Sequence, residues 1–185
     1  MFQSQKTALV LLPEGVEEIE AVTPIDLLRR AGVEVLLASL SEDLRVIGRT
    51  GIVLGADTSL AAVGDRLFDL LLLPGGPGVR HLRASPAVLD LTRRHAQAHR
   101  LIGAICAAPT VLLDAGLLTP GIGYTAHFSV AGELPAARSE AVVRHERILT
   151  SRGAGTAVPF GLALIEALFD SEAASKVAAA ICYPC

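Results

Sequence analysis

The sequence has no excess of basic residues over acidic ones, and this absence bears on which partners the protein can bind. Among its 185 residues, 16 Lys and Arg stand against 19 Asp and Glu, which gives a formal net charge of −3. Domains that bind nucleic acid usually carry a basic surface, so this balance argues against a nucleic-acid partner. The length fits one domain, and we expect residues 1–185 to form it.

Long hydrophobic runs are also missing, and cysteine is scarce. A membrane-spanning helix needs about 20 apolar residues, whereas the first apolar run, Ala8 to Leu12, is followed at once by Pro13 and Glu14. We therefore expect neither a signal peptide nor a membrane partner. The three cysteines are an odd number, which argues against a disulfide framework. Together these absences predict a soluble cytoplasmic protein.

Short apolar runs alternate with amphipathic stretches along the chain, which is typical of an α/β fold with a mainly parallel sheet. In the first predicted helix, Ile19, Val22, Ile25 and Leu28 recur at helical spacing and predict its buried stripe. The predicted helices cover residues 16–32, 86–98, 107–115, 157–169 and 171–180. The predicted strands cover residues 6–12, 33–40, 68–76, 101–105, 123–126, 141–145 and 148–150, with a hairpin or irregular strand pair over 46–54.

Parallel strands place their carboxyl ends at one edge of a sheet, and ligand sites form outside that edge. Three stretches of this sequence follow such strand ends. They are the turn after Leu12, the loop after Leu73 and the turn after Ile105. We therefore expect a functional site where these three stretches meet.

Cys106 lies in the stretch GAICAAPT, residues 103–110, between a predicted strand and a predicted helix. A residue there meets the unpaired N–H groups of the helix start, which favour the thiolate and lower the thiol pKa. The small neighbours allow the tight turn of a nucleophile elbow. A buried cysteine is otherwise a small inert hydrophobe, so Cys106 is either a nucleophile or part of the core.

Two other stretches carry candidate groups. In LPGGPG, Gly75 and Gly76 allow backbone N–H groups to approach a ligand oxygen, although the loop matches neither the Walker nor the dinucleotide pattern. In GVEEIE, Glu17 and Glu18 are expected on a solvated helix face. Glu20 lies beside the apolar stripe, where burial would raise the pKa of its carboxyl.

The remaining histidines and cysteines carry weaker signals. His127 follows a short predicted strand and is either a packing residue or an acid/base group. Cys182 and Cys185 have C-x-x-C spacing, but one pair near a chain end favours a frayed segment over a redox or metal site. We expect no metal. The other histidines are expected on the surface: His81, His95, His99 and His145.

Four separated motifs resemble the ThiJ/PfpI superfamily and its DJ-one branch, in the same order and over nearly the whole chain. They are LLPEGVEEIEAVTPIDLLRRAG, FDLLLLPGG, GAICAAPTVLL and ILTSRGAGTA. The resemblance implies a flavodoxin-like three-layer sandwich, with helices on both faces of the sheet, and usually a homodimer. It also implies chemistry at a reactive cysteine without a cofactor.

The resemblance assigns roles to individual residues. It implies that Cys106 is the nucleophile, that Glu20 is the carboxyl beside it and that His127 is an auxiliary acid/base. Asp26 or Arg30 would complete the site across a dimer interface. The residues that would supply a pocket of backbone N–H groups are Gly75, Gly76 and Ala107.

The sequence departs from the family pattern in the middle hairpin, and from two neighbouring families near the cysteine. Thr50 aligns with an arginine that family members often carry, and Arg49 comes one residue earlier. PfpI-type proteases have His directly after the Cys, where this chain has Ala107. Class I glutamine amidotransferases use G-x-C-x-G and a later His-x-Glu pair, whereas Glu146 directly follows His145 here. Peptidase and amidotransferase activities are therefore disfavoured.

Two functions remain open. The resemblance implies a cofactor-free glyoxalase or deglycase that acts on small 2-oxoaldehydes or on early glycation adducts. The alternative is a redox-sensing stress chaperone whose Cys106 is oxidised to sulfinic acid. A thiamin-biosynthesis role has no support, because the sequence has no phosphate loop.

Overall fold

The computed structural model describes residues 5–184, and a seven-stranded sheet forms their centre. The strand order is β5-β2-β1-β6-β7-β9-β8, and all neighbours are parallel except β8 and β9. A separate antiparallel hairpin pairs β3 with β4. The strands are β1 Thr7–Leu12, β2 Glu34–Ser39, β3 Arg45–Ile47, β4 Val53–Gly55, β5 Thr58–Ser59, β6 Leu70–Leu73, β7 Leu101–Ile105, β8 Val142–His145 and β9 Ile148–Ser151.

Helices cover both faces of the sheet, which confirms the predicted flavodoxin-like three-layer architecture. Two short 3₁₀ helices, Phe128–Val130 and Ala154–Thr156, lie in the loops near the carboxyl edge. The α-helices are α1 Glu18–Arg30, α2 Leu60–Val63, α3 Val79–Ala84, α4 Pro86–Gln97, α5 Pro109–Asp114, α6 Ala157–Leu168 and α7 Ser171–Ala180. Within the described residues, no helix is long and apolar enough to cross a membrane.

The two-residue period of the strands divides the buried side chains into two cores. In β1, Val10 and Leu12 pack with α1, α6 and α7, whereas Leu9 and Leu11 pack with α2 to α5. Because both faces of each central strand are buried, these strands appear in the sequence as continuous apolar runs.

Gly103 in β7 allows α6 to lie close to the sheet. A Cβ atom at this position would come within 3.0 Å of Leu164 Cδ2 and 3.1 Å of Phe160 Cζ. The glycine is therefore a packing residue, and it positions the strand that leads directly to Cys106.

Three details of the fold differ from the sequence-based expectations. Residues 123–126 form no strand, because Thr125 donates its backbone N–H to Thr150 Oγ1 at 2.9 Å and makes only an isolated bridge to Arg138. The short helices α2 and α3 were not predicted. His95 is buried, not on the surface, since its Nε2 accepts from the Phe68 N–H at 3.2 Å and its Nδ1 lies 2.9 Å from Leu91 O.

The stripe expected on α1 is only half correct. Ile25 and Leu28 are buried, but Ile19 is 52% exposed and Val22 is 46% exposed. Helix α1 instead buries Glu18 and Glu20 against the hairpin and the site, together with Ala21, Pro24 and Leu27.

Candidate active site

Cys106 occupies a sharp elbow between β7 and α5. Its φ is 66°, in the left-handed region that non-glycine residues seldom adopt. Its N–H donates to Ser151 O at 2.9 Å, and its carbonyl accepts from the His127 N–H at 2.8 Å. The neighbouring strand and loop therefore hold the strained backbone in place and leave the half-buried thiol at the edge of the sheet.

Glu20 reaches the thiol from the first turn of α1. Its side chain is 2% exposed, accepts from the Gly75 N–H at 3.0 Å and is hydrogen-bonded to the Cys106 thiol. A Cβ atom on Gly75 would collide with Glu20 Oε2 and lie 2.5 Å from the Cys106 Cβ. Only glycine fits between the two side chains, so Gly75 allows the pair to meet.

The backbone N–H groups of Gly76 and Ala107 are hydrogen-bonded to the Cys106 sulfur. These two residues therefore lie where the sequence predicted N–H donors. Gly75 does not share this role, because its N–H is used by Glu20. Its place in the site is to hold the carboxyl.

Burial changes the proton affinity of both groups in the pair. It raises the pKa of Glu20 to about 7, even though the hydrogen bond with Cys106 opposes the rise. Burial, the charge of Glu20 and the hydrogen bond with Glu20 together raise the pKa of Cys106 to about 12. The N–H groups of Gly76 and Ala107 act in the opposite direction but do not outweigh them. The expected lowering of the thiol pKa is therefore wrong, because burial and the Glu20 charge outweigh the N–H groups.

The two groups must be treated as one titrating unit. When the pair loses its first proton, it carries one negative charge. The proton that remains lies in the hydrogen bond between the Glu20 carboxyl and the Cys106 thiol. With that proton on Glu20, Cys106 is a thiolate that faces the Gly76 and Ala107 N–H groups. The pKa values of about 7 for Glu20 and about 12 for Cys106 place the remaining proton on the thiol of the resting pair, so a thiolate requires its transfer to Glu20.

Glu17 and Glu18 are buried, not solvated as expected, because the β3–β4 hairpin covers them. Arg49 Nη1 lies 2.9 Å from Glu17 Oε2, and Arg49 lines the Cys106 pocket. Thr50 donates its N–H and its hydroxyl to Glu18 Oε1 at 2.8 and 2.6 Å. Although burial opposes the effect, these bonds hold the pKa of Glu18 below its usual range.

Arg49 therefore brings a guanidinium to the site from the hairpin, and Thr50, at the aligned position, fixes the hairpin to α1. Sequence reasoning left the role of Arg49 undecided. One pattern in the sequence could have indicated this contact: a Glu-Glu dipeptide at a helix start and an Arg-Thr dipeptide in a hairpin can form ion pairs and hydrogen bonds with each other.

The pocket around Cys106 has a volume of about 490 Å³ and contains groups that the sequence did not single out. Arg80, Arg83 and Ser129 line it together with His127. Arg83 is held by Asp114 and Glu133, and these bonds raise the pKa of its guanidinium. The volume suits a small substrate in contact with the thiol.

His127 joins the pocket from the loop after residue 126. Its Nδ1 accepts from the Ser129 N–H at 3.2 Å and lies 2.9 Å from Ser129 Oγ. His127 and Ala154 also line a second pocket of about 660 Å³ beside the first.

The other candidates lie elsewhere. Asp26 and Arg30 form an exposed ion pair with each other at 2.7 Å and do not line the Cys106 pocket of their own chain. Cys182 is exposed, and Cys185 lies outside the described residues. Within residues 5–184, no three His, Cys, Asp or Glu side chains are grouped to hold a metal ion.

The chain matches a family of known proteins over most of its length. The DJ-1/PfpI family model matches residues 6–167. The glutathione-independent glyoxalase DJR-1.2 of Caenorhabditis elegans is 36% identical over 185 residues, covering 97% of each chain. The Parkinson disease protein 7 homolog of Danio rerio is 38% identical over 181 residues, covering 94% of this chain and 95% of the relative.

Solved structures give the same answer. Drosophila melanogaster DJ-1beta superposes with a TM-score of 0.93 at 37% identity, covering 98% of this chain and 100% of that one. Oxidised DJ-1 of Toxoplasma gondii superposes with a TM-score of 0.92 at 36% identity, covering 97% and 100%. The family model, the relatives and the folds agree, and the chain belongs to the DJ-1/PfpI family.

Proposed function

We propose that this protein is a cysteine-dependent, cofactor-free glyoxalase that converts small 2-oxoaldehydes to 2-hydroxy acids. The observation that carries the proposal is the pairing of Cys106 with a buried carboxyl and two backbone N–H donors. A relative of nearly equal length bears the name glutathione-independent glyoxalase.

The reaction begins with transfer of the Cys106 proton to Glu20. The thiolate attacks the aldehyde carbon, a C–S bond forms, and the carbonyl π bond becomes an oxygen anion beside the Gly76 and Ala107 N–H groups. Glu20 returns its proton to that oxygen, which completes a hemithioacetal and leaves the carboxylate ready to act as a base.

Glu20 then removes the proton from the former aldehyde carbon, and an enediolate forms. Return of that proton to the adjacent carbon, together with transfer of the hydroxyl proton of the former aldehyde carbon to the neighbouring oxygen, gives a thioester of the 2-hydroxy acid. Water cleaves the C–S bond and releases the hydroxy acid and the free thiol. With methylglyoxal as substrate, the balance is one aldehyde and one water consumed for one lactic acid formed.

Early glycation adducts fit the same chemistry. A hemithioacetal or aminocarbinol on a protein side chain carries the same carbon skeleton. When Cys106 forms a C–S bond to the carbinol carbon, the bond to the side-chain sulfur or nitrogen breaks and the side chain leaves as a free thiol or amine. The deglycase activity is therefore a second use of the same thiol, on a larger substrate.

We propose further that the protein acts in the cytoplasm as a homodimer. The support for a second copy is a group of exposed apolar side chains on α1 and around the β3–β4 hairpin. Their exposed fractions are 52% for Ile19, 46% for Val22, 56% for Ile52 and 45% for Val53. Asp26 and Arg30 lie on the same helix, and in a dimer they would approach the partner's site. Light scattering on the purified protein tests the mass, and Ile52→Glu is expected to produce monomers.

A redox-sensing chaperone is the competing function, and one observation favours it. Glu20 has a pKa raised to about 7, so its carboxyl can donate a hydrogen bond to a sulfinate on Cys106 near neutral pH. Peroxide treatment followed by intact mass distinguishes the two functions. Addition of two oxygens at Cys106, with protection of an aggregating client and no aldehyde turnover, would support the sensor.

The direct test of the glyoxalase is methylglyoxal consumption without glutathione, with lactate followed by NMR. We expect turnover by the wild type and none by Cys106→Ser. Equal activity in both proteins would contradict the proposal.

A further inference from the structure

One ring nitrogen of His127 is committed to the backbone. The Ser129 N–H donates to His127 Nδ1 at 3.2 Å, and Ser129 Oγ lies 2.9 Å from the same nitrogen. A backbone N–H can only donate, so Nδ1 is the acceptor in this bond. The neutral ring therefore carries its proton on Nε2.

His127 lines the Cys106 pocket together with Glu20 and Cys106. The Cβ position of Gly153 is 3.3 Å from His127 Cδ2, the carbon bonded to Nε2, and 3.7 Å from Glu20 Oε1. The ring carbon next to Nε2 and the Glu20 carboxyl thus both border the small space beside Gly153. A substrate bound to Cys106 would meet both groups.

We infer that His127 serves the proposed reaction as a fixed hydrogen-bond donor to a substrate oxygen, and that the backbone N–H of Ser129 sets this tautomer. The inference rests on the proposed function and refines it. The Nε2–H donates to the oxygen on the ketone carbon, which gains negative charge in the enediolate. Since Nδ1 is occupied and Nε2 carries hydrogen, His127 has no lone pair for the proton on carbon. That proton goes to Glu20.

Two substitutions separate a donor from a proton carrier. His127→Gln keeps an N–H donor near the Nε2 position but cannot take up a proton. His127→Asn keeps an acceptor near the Nδ1 position for the Ser129 N–H and loses the donor to the pocket. We expect kcat of His127→Gln to stay within about fivefold of wild type, and that of His127→Asn to fall about 10²-fold.

The shape of the pH profile is a second readout. A donor contributes no ionisation to kcat, so His127→Gln is expected to keep the wild-type profile. Equal and large losses of kcat in both variants, or loss of one limb of the profile in His127→Gln, would overturn the inference.

Nitrogen-15 NMR of the full-length resting protein tests the tautomer without any turnover. We expect a pyridine-type signal for Nδ1 and a pyrrole-type signal for Nε2 of His127, with the exposed His99 as the reference for a ring in exchange. Ser129→Ala keeps the backbone N–H and is expected to leave Nε2 protonated.

A proton on Nδ1 in either protein would overturn the assignment. The two failures are distinguishable: absence of aldehyde turnover in the wild type would contradict the proposed function, whereas the nitrogen signals still decide where the ring proton lies.

Discussion

The Glu20 carboxyl and the Cys106 thiol are hydrogen-bonded to each other, and burial raises the pKa of each. Neither group can be assigned a charge without the other. The proposed reaction therefore requires a thiolate formed by internal proton transfer, because the thiol is not permanently ionised.

Gly75→Ala is expected to separate the pair. Its new methyl group would occupy the space of Glu20 Oε2 and of the Cys106 Cβ, so one of the two side chains must move. A displacement of about 1 Å at reacting groups costs about 10²-fold in rate. Aldehyde turnover is the readout, and Gly132→Ala is the matched control, because nothing lies within 4 Å of its added Cβ. Wild-type kcat in Gly75→Ala would show that the close approach has no catalytic importance.

Gly103→Ala is expected to lower the free energy of unfolding by about 1–3 kcal/mol, the usual cost of overpacking a core. The added methyl would press on Leu164 and Phe160 of α6, both of which are fully buried. Urea denaturation of the variant beside Gly132→Ala measures the difference. Equal midpoints in the two variants would contradict the packing role assigned to this glycine.

The ionisation of Glu20 is expected to destabilise the folded protein. Its folded pKa, about 7, lies above the unfolded value of about 4.3. The folded state therefore binds more protons between these pH values, and the stability that the protonated carboxyl contributes is lost as pH rises through about 7. Glu20→Gln removes this loss.

We expect the free energy of unfolding of Glu20→Gln, relative to that of the wild type, to be about 2–3 kcal/mol higher at pH 8 than at pH 5. Urea denaturation of both proteins at pH 5 and at pH 8 measures this difference. Because the same two proteins are compared at both pH values, any effect of the substitution that does not depend on pH cancels. If the stability difference between Glu20→Gln and wild type were the same at both pH values, the raised pKa assigned to Glu20 would be contradicted.

His95 gives a dependence of the opposite sign. Burial lowers its pKa below the usual range, so the unfolded chain binds the proton more readily. The stability from neutral His95 is present above about pH 6.5 and is lost as pH falls below it. His95→Gln is expected to be less stable at pH 7 but to lose less stability between pH 7 and pH 5. An identical decline in both proteins would contradict this assignment.

Sequence reasoning was most successful where one physical rule determines the outcome. Buried parallel strands appear as continuous apolar runs, and their carboxyl ends brought Cys106, Glu20 and Gly76 to one edge. It was less successful where the outcome depends on what covers a surface. Periodicity placed Ile19 and Val22 on the apolar stripe of α1, but it could not show that the β3–β4 hairpin would bury Glu17 and Glu18 instead.

Roles that depend on a partner atom were also out of reach. The pKa of the Cys106 thiol is raised by burial and by the charge of Glu20, which comes from another part of the chain. Helix position alone predicted the wrong direction. The burial of His95 required knowledge that the Phe68 N–H lies opposite its Nε2. Both contacts join residues that are far apart in the sequence, so no local sequence pattern could predict them.

We propose that Cys106 becomes nucleophilic when the Glu20–Cys106 pair loses its first proton. The rate of alkylation at Cys106, measured as a function of pH, tests this proposal. The iodoacetamide rate at Cys106, followed by peptide mass spectrometry from pH 5 to pH 10, is expected to rise with a midpoint near 7 in the wild type. In Glu20→Gln the midpoint is expected to move to about 8.5 or higher, the range of a thiol without the carboxylate. An unchanged midpoint in Glu20→Gln would contradict the account, because the thiol would then ionise independently of Glu20.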